Sequence, residues 1–307
     1  MEKNKRILKY GLIFIVLLLA INVGFSLSII LREPVFLKVY NEEYIHQIGE
    51  KGDFEDIDYY LYYITNVNDT RRVSHITFDD VPEITASANE AVFSNGIFNF
   101  NHNANPYKDK IYGRYALRRV YIRLNLNNLN KDFDSVELND ISIEFNNGDI
   151  LEQDLGRFII YNENDGRDYF KGLVSGSSSD GTSNTSLEVK EDIELIKIDT
   201  PILEKVEDYL EISVGRNNSH GVQYNEIEGM TYKAGDKLYI ESKFYIPERN
   251  MDRYNSYHLL PRLYFKDRDG KISSYMIYNL GDYSGRYNRY YYSFTGLLKY
   301  LRSRGQI

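Results

Sequence analysis

The chain has 307 residues, 42% of them hydrophobic, with 29 tyrosines, no tryptophan, no cysteine and a formal net charge of −8. That hydrophobic fraction excludes a wholly disordered chain. The lack of cysteine excludes disulfides, thiolate metal sites, lipidated cysteine and a cysteine nucleophile.

The first 31 residues carry a net +3, which leaves −11 on the remainder. So acidic a body is a poor partner for nucleic acid or for anionic lipid, since both would be repelled, and no nucleic-acid partner is expected.

Lys3, Lys5, Arg6 and Lys9 precede an uncharged run from Tyr10 to Leu31. A helix over that run rises about 33 Å, enough to cross a hydrocarbon core of roughly 30 Å. The basic flank stays in the cytoplasm by the positive-inside rule, so the body is expected outside. A cleaved secretory signal is the alternative, with Ser26 and Ser28 as small residues for the cut. The run continues past them through Ile29, Ile30 and Leu31, which favours an anchor.

Residues 32–52 read as a juxtamembrane connector. Pro34 blocks continuation of the helix, and a strand-like VFLKVY follows. From residue 53 the pattern is alternation. Val120, Ile122, Leu124 and Leu126 alternate with polar or aromatic neighbours, and Ile141, Ile143 and Phe145 repeat the period of two. Asn147-Gly148 predicts a tight hairpin turn, and RFIIY at 157–161 predicts one more strand.

Ser175 to Ser186 contains no apolar residue, so nothing there offsets the entropy of ordering by apolar burial. The stretch 175–190 is expected to be a linker or a mobile loop. It would divide a first β domain (53–174) from a second (191–307). In the second, Leu210, Ile212 and Val214 alternate, as do Leu238, Ile240, Phe244 and Ile246 in part, and Asp269-Gly270 predicts another hairpin. Pro201–Val206 and Leu297–Leu301 are the short helix candidates in the body, with Gly305 suited to a helix C-terminus. The expected architecture is mainly β. One N-terminal transmembrane helix precedes two antiparallel, sandwich-like (immunoglobulin-like) extracytoplasmic domains.

Catalytic and metal signatures are absent from the spacing. The five histidines, His46, His75, His102, His220 and His258, form no i, i+4 pair. The Asp267–Gly270 stretch has Phe265 and Met276 where a calcium loop needs oxygen ligands. Asn162–Asp168 clusters oxygen donors, although turn chemistry accounts for them. No metal or cofactor is expected. Asp79-Asp80, the Asp53, Glu55, Asp56 group, and His75 near Asp79 are the acids and base open to a hydrolase reading.

Tyrosine and arginine crowd the C-terminal part, and both types dominate binding hot spots. Gly281 and Gly285 give turn character to the stretch holding Tyr283, Arg286, Tyr287 and Arg289. These four are the candidate binding residues. The resulting expectation is a membrane-anchored, extracytoplasmic binding module of a bacterial-type surface. Its partner would be a membrane or surface protein, or a cell-envelope polysaccharide, and its anchor would sit in the lipid bilayer. The alternatives are a polysaccharide-active hydrolase whose acids converge only in the fold, and an accessory subunit of a membrane complex.

Overall fold

A computed structural model describes residues 2–45, 47–48, 53–90, 110–130, 132–162, 167–178, 180–216, 221–278, 281–283 and 292–307. The chain is mainly β, with 49% of residues in strands and an apolar N-terminal helix. That helix runs Glu2–Ser28. Its Lys5–Ser28 portion holds an 18-residue window with a mean hydropathy of 2.4, none of which is buried.

Among the described residues the largest sheet has eleven strands. Ten follow one path: Val35–Phe36, Ile57–Asn66, Tyr115–Asn125, Thr85–Asn89, Val73–Thr77, Ser135–Phe145, Ile150–Tyr161, Val39–Tyr44, Ser256–Leu259 and Gly281–Tyr283. Lys110–Tyr112 pairs separately with Tyr115–Asn125. The expected alternation is present. Val120, Ile122 and Leu124 are buried on one face, as are Ile141, Ile143 and Phe145. Burying such a row contributes roughly 1.5–3 kcal/mol per side chain. Gly148 takes φ +84° in the Asn147-Gly148 turn, a conformation that favours glycine.

Residues 32–52 are not a simple connector. They supply Val39–Tyr44, which lies between Ile150–Tyr161 and Ser256–Leu259 and runs parallel to both. Parallel pairing joins segments far apart in sequence, so its register leaves no local turn signature. Gly156 permits the close approach. Its φ is +113°, and a Cβ there would collide with the backbone oxygen of Val39.

Two smaller sheets face a second core. One orders Phe170–Ser177, Thr182–Val189, Lys237–Phe244, Leu210–Arg216 and Val222–Gln223. The other orders Thr231–Tyr232, Ile193–Asp199, Arg262–Asp267 and Ile272–Met276. Their inner residues, among them Leu187, Ile212, Ile240, Leu195 and Phe265, pack together with Ile159 and Tyr257 of the large sheet. Strands Ser256–Leu259 and Gly281–Tyr283 thus carry the C-terminal half into the large sheet.

The serine-rich stretch expected as a linker or mobile loop is a hairpin. Ser175–Ser177 pairs with Ser183–Thr185, and Thr182–Glu188 pairs with Lys237–Lys243. Its burial is polar. Ser183 and Thr185 are buried, and the Ser183 hydroxyl bonds that of Ser242 at 2.7 Å. Backbone pairing and matched hydroxyls replace the apolar contacts whose absence had suggested disorder.

The short helices are Leu203–Val206 and Phe294–Ser303. In the latter, Ser293 Oγ accepts from the Gly296 N–H at 3.1 Å, satisfying an end donor. Leu297, Tyr300 and Leu301 face inward, and Gly305 follows with φ +68°. This helix completes a third core with Leu31, Val35, Leu37, Ile64, Tyr115 and Leu117.

Candidate functional site

The strand Val39–Tyr44 places a carboxylate where the large sheet meets the second core. Glu42 is completely buried. Its Oε1 accepts from the Tyr161 hydroxyl at 2.7 Å and from the Thr200 hydroxyl at 2.7 Å. Its Oε2 accepts from the Leu260 N–H at 2.8 Å. A buried carboxylate persists only with such partners. Burial and the Glu42 carboxylate push the Tyr161 hydroxyl far up, so it stays a donor.

Two residues earlier on the same face, Tyr40 floors a cleft. The cleft has a volume of about 270 Å³ and is lined by Tyr40, Arg157, Pro201, Ile202, Glu204 and Lys205. Tyr40 stacks on Tyr257 with centroids 5.2 Å apart, and burial pushes its hydroxyl up to about 12. Arg157 grips Glu137 in a fork at 2.6 and 2.9 Å and donates to the Pro201 carbonyl, so it is a fixed wall. Lys205 holds its ammonium 5.5 Å from the Tyr40 ring centroid. The Thr200 hydroxyl also accepts from the Ile202 N–H at 3.2 Å, which ties the cleft wall to Glu42 below it.

The chemistry available is an aromatic floor, one ammonium and one carboxylate, Glu204. A glycoside hydrolase needs two facing carboxyl groups, and the cleft lining has one. Its volume lies below that of ordinary drug-sized pockets. It suits one small polar group, such as a sugar ring or a side chain of a partner.

A second charged cluster ties together four neighbouring strands of the large sheet, Ile57–Asn66, Tyr115–Asn125, Thr85–Asn89 and Val73–Thr77. Glu90 accepts from the Tyr63 hydroxyl, from the Val73 N–H at 3.1 Å and from Arg72 at 3.5 Å. Burial raises its carboxyl above the ordinary range, against the pull of Tyr63, Val73, Arg72 and Arg118. Burial acts the same way on Asp69, but the Arg71 fork and the Thr65 hydroxyl outweigh it and hold Asp69 at about 2. Arg118, 4% exposed, donates to the carbonyls of Arg71 and Asp69. Carboxyls pushed apart in this way mark active sites in some enzymes. Here Tyr63 is fully buried and Glu90 accepts its hydroxyl. The cluster locks strand ends.

The residues singled out by sequence fare differently. The backbone of Tyr283 pairs with Tyr257. Arg286, Tyr287 and Arg289 lie outside the described residues. Tyr254, Tyr257 and Tyr300 of the C-terminal tyrosine group are buried. Their rings fill cores, where large area and a bonded hydroxyl serve packing. Asp79 and Asp80 sit in an exposed turn, and His75 is exposed on Val73–Thr77. Asp56 accepts from Asn125 at 2.8 Å. Asp269-Gly270 forms the expected hairpin, with Asp267 Oδ1 accepting from the N–H groups of Asp269 and Lys271. Of Asn162–Asp168, residues 163–166 lie outside the described set, as do His46, His102 and His220. Among the described residues no three His, Asp or Glu side chains group as metal ligands.

Sequence reading missed Glu42, Glu90, Arg118 and the cleft. The available signal was an ionisable residue at a position that strand alternation turns inward.

No protein-family model matches the chain, and no curated protein does. Among solved structures, one similar chain belongs to the complete structure of manganese lipoxygenase of Gaeumannomyces graminis and partial structure of zonadhesin of Komagataella pastoris. It is 9% identical, the match covers 81% of this chain and 93% of that one, and the TM-score is 0.17. A likeness that weak carries no argument about fold or function.

Proposed function

We propose that the chain is a membrane-anchored binding module whose β body lies outside the cytoplasm and engages a partner protein or an envelope polymer. The observation that carries this reading is the N-terminal helix. It is long, apolar and wholly uncovered by the body, while its end is built into the body. Ile29 and Leu31 are buried, and the Ile29 carbonyl accepts from the Tyr115 hydroxyl at 2.7 Å. A span so joined works as an anchor. Cleavage near Ser26 or Ser28 would cut a segment that the body holds.

The cleft supports binding over hydrolysis, because its lining offers a single carboxylate beside an aromatic face. Tyr283, Arg286, Tyr287 and Arg289 remain the second candidate surface. The test has two parts. In spheroplasts, added protease should reach the body while the protein stays with membranes after an alkaline wash. Release of a fragment beginning near Ile29 would overturn the anchor. Crosslinking in native membranes should then capture a partner. Lys205→Ala or the triple change R286A/Y287A/R289A should abolish capture with the melting temperature kept. Capture undiminished by both would place the surface elsewhere.

A further inference from the structure

The clearest unassigned surface surrounds the point where the helix enters the body. The hairpin joining Lys110–Tyr112 to Tyr115–Asn125 lies along the last helical turns. Arg114 donates to the Ser26 carbonyl, and the Tyr115 hydroxyl to that of Ile29. The neighbouring turn is tied to the hairpin, since the Val67 N–H donates to the Arg114 carbonyl at 2.9 Å. The C-terminal helix props the hairpin from behind. Phe294 stacks on Tyr115 at 5.8 Å and lies so close to Gly113 that a Cβ there would meet its ring.

This fixed collar exposes apolar side chains. Ile111 is 56% exposed, Ile30 43% and Val67 37%. Cations stand among them. Arg32 is exposed, Arg114 reaches the helix backbone, and Arg302 lies within electrostatic reach of Tyr115. Exposed aliphatics beside arginines match the boundary between hydrocarbon and headgroups, where aliphatics insert and guanidinium groups meet phosphates.

The length of the span places that boundary. With Lys9 at the cytoplasmic edge, the exposed helix from Tyr10 to its end at Ser28 rises about 28 Å. The hydrocarbon core needs about 30 Å. The outer edge of the hydrocarbon therefore falls beside Ser26–Ser28, where Arg114 and the hairpin touch the helix. A body held clear of the bilayer would leave the span short.

We propose that the collar of Ile30, Val67, Ile111 and Arg114 is seated in the outer headgroup boundary of the bilayer that the helix crosses. This rests on the anchor reading and extends it from the helix to the folded body. The occupant of the surface is lipid.

The lack of native tryptophan allows a direct test with single tryptophans in the full chain, reconstituted in phosphatidylcholine vesicles. The lipids carry bromine either high on the acyl chains or near their ends. Ile111→Trp and Val67→Trp should emit to the blue and be quenched most by the high bromines. Ile272→Trp, at an exposed position of the four-stranded sheet, should emit to the red and stay unquenched. Leu18→Trp, at mid-span, should be quenched most by the deep bromines. If Leu18→Trp is unquenched, the anchor fails and this proposal with it. If Leu18→Trp is quenched while Ile111→Trp and Val67→Trp are not, the anchor stands and the seated collar is refuted. Two collar probes on separate turns keep the test open if one variant fails to fold.

Discussion

Replacing Glu42 by alanine tests whether the buried carboxylate holds the large sheet to the second core. The change strips the acceptor from three donors, on Tyr161, Thr200 and Leu260, that sit 2.7, 2.7 and 2.8 Å away. Each buried donor left without a partner costs about 1–3 kcal/mol. Thr200 loses least, because its hydroxyl can turn toward other local acceptors while Ile202 still donates to it. The sum is about 4 kcal/mol, before any cavity cost. For a body of this size each kcal/mol moves the midpoint by about 2–4 °C, so Glu42→Ala should melt about 8–16 °C lower. Glu42→Gln is the graded control. Its amide oxygen can keep the Leu260 bond while its NH₂ faces two hydroxyls able to accept. The loss is then that of charge-assisted bonding, about 1–2 kcal/mol. Near-ultraviolet circular dichroism of the full chain follows the transition through its tyrosines. A midpoint for Glu42→Ala within about 2 °C of wild type, against the per-kcal shift expected, would refute the reasoning, as would Gln and Ala costing the same.

The charged cluster of Asp69 and Glu90 gives opposite pH signatures. Asp69 is held at about 2 in the folded chain against an ordinary 3.8. Its contribution of about 1–2 kcal/mol is therefore present above the unfolded value and is lost as pH falls through the folded one. The melting gap between wild type and Asp69→Asn should close as the pH drops from about 4 to about 2. Glu90 is raised instead, so the folded state binds the proton more tightly and stability falls as pH rises from its ordinary 4.5. Wild type should lose ground to Glu90→Gln over that rise, and a gap independent of pH would overturn the assignment. Gly156→Ala should cost about 3 kcal/mol by combining positive φ with a clash against the Val39 backbone. A neutral effect in a melting experiment would mean that the two parallel strands are not so closely paired.

The sequence made the antiparallel strands legible because their signal is local. Alternating Val120, Ile122 and Leu124 need only a period of two and one buried face. The Asn147-Gly148 and Asp269-Gly270 turns need only a residue that tolerates positive φ. Three features escaped for physical reasons. The partners of Val39–Tyr44 are more than a hundred residues away, so nothing near the strand records its pairing. The Ser175–Ser186 run buries hydroxyls and backbone, and a reading that counts apolar residues sees nothing to bury. Glu42 looks like surface charge until Tyr161, Thr200 and Leu260 converge on it. Candidate sites suffer most from this limit, since convergence across the chain creates them. The same holds for the tyrosines. Their density looks like a binding face, yet Tyr254, Tyr257 and Tyr300 are packing residues.

The joint between helix and body bears on how any partner is met. Only Arg32, Glu33 and Pro34 separate the buried Leu31 from the first strand. Asn66 clamps Leu31 from both sides, donating to its carbonyl at 2.7 Å and accepting from its N–H at 3.2 Å. Gln153 does the same one step later, donating to the Pro34 carbonyl at 3.1 Å and accepting from the Phe36 N–H at 2.8 Å. Arg304, just past the C-terminal helix, donates to the Phe36 carbonyl at 2.8 Å. A Gly/Ser tether would let the body turn freely beneath its anchor. Side chains from three distant segments instead fix the exit of the helix, so its orientation is transmitted to the large sheet. The strand that follows, Val39–Tyr44, carries Tyr40 into the cleft and Glu42 beneath it. Helix and cleft thus lie on one continuous stretch of chain, and under the proposed anchoring the direction in which the cleft faces would follow the orientation of the helix.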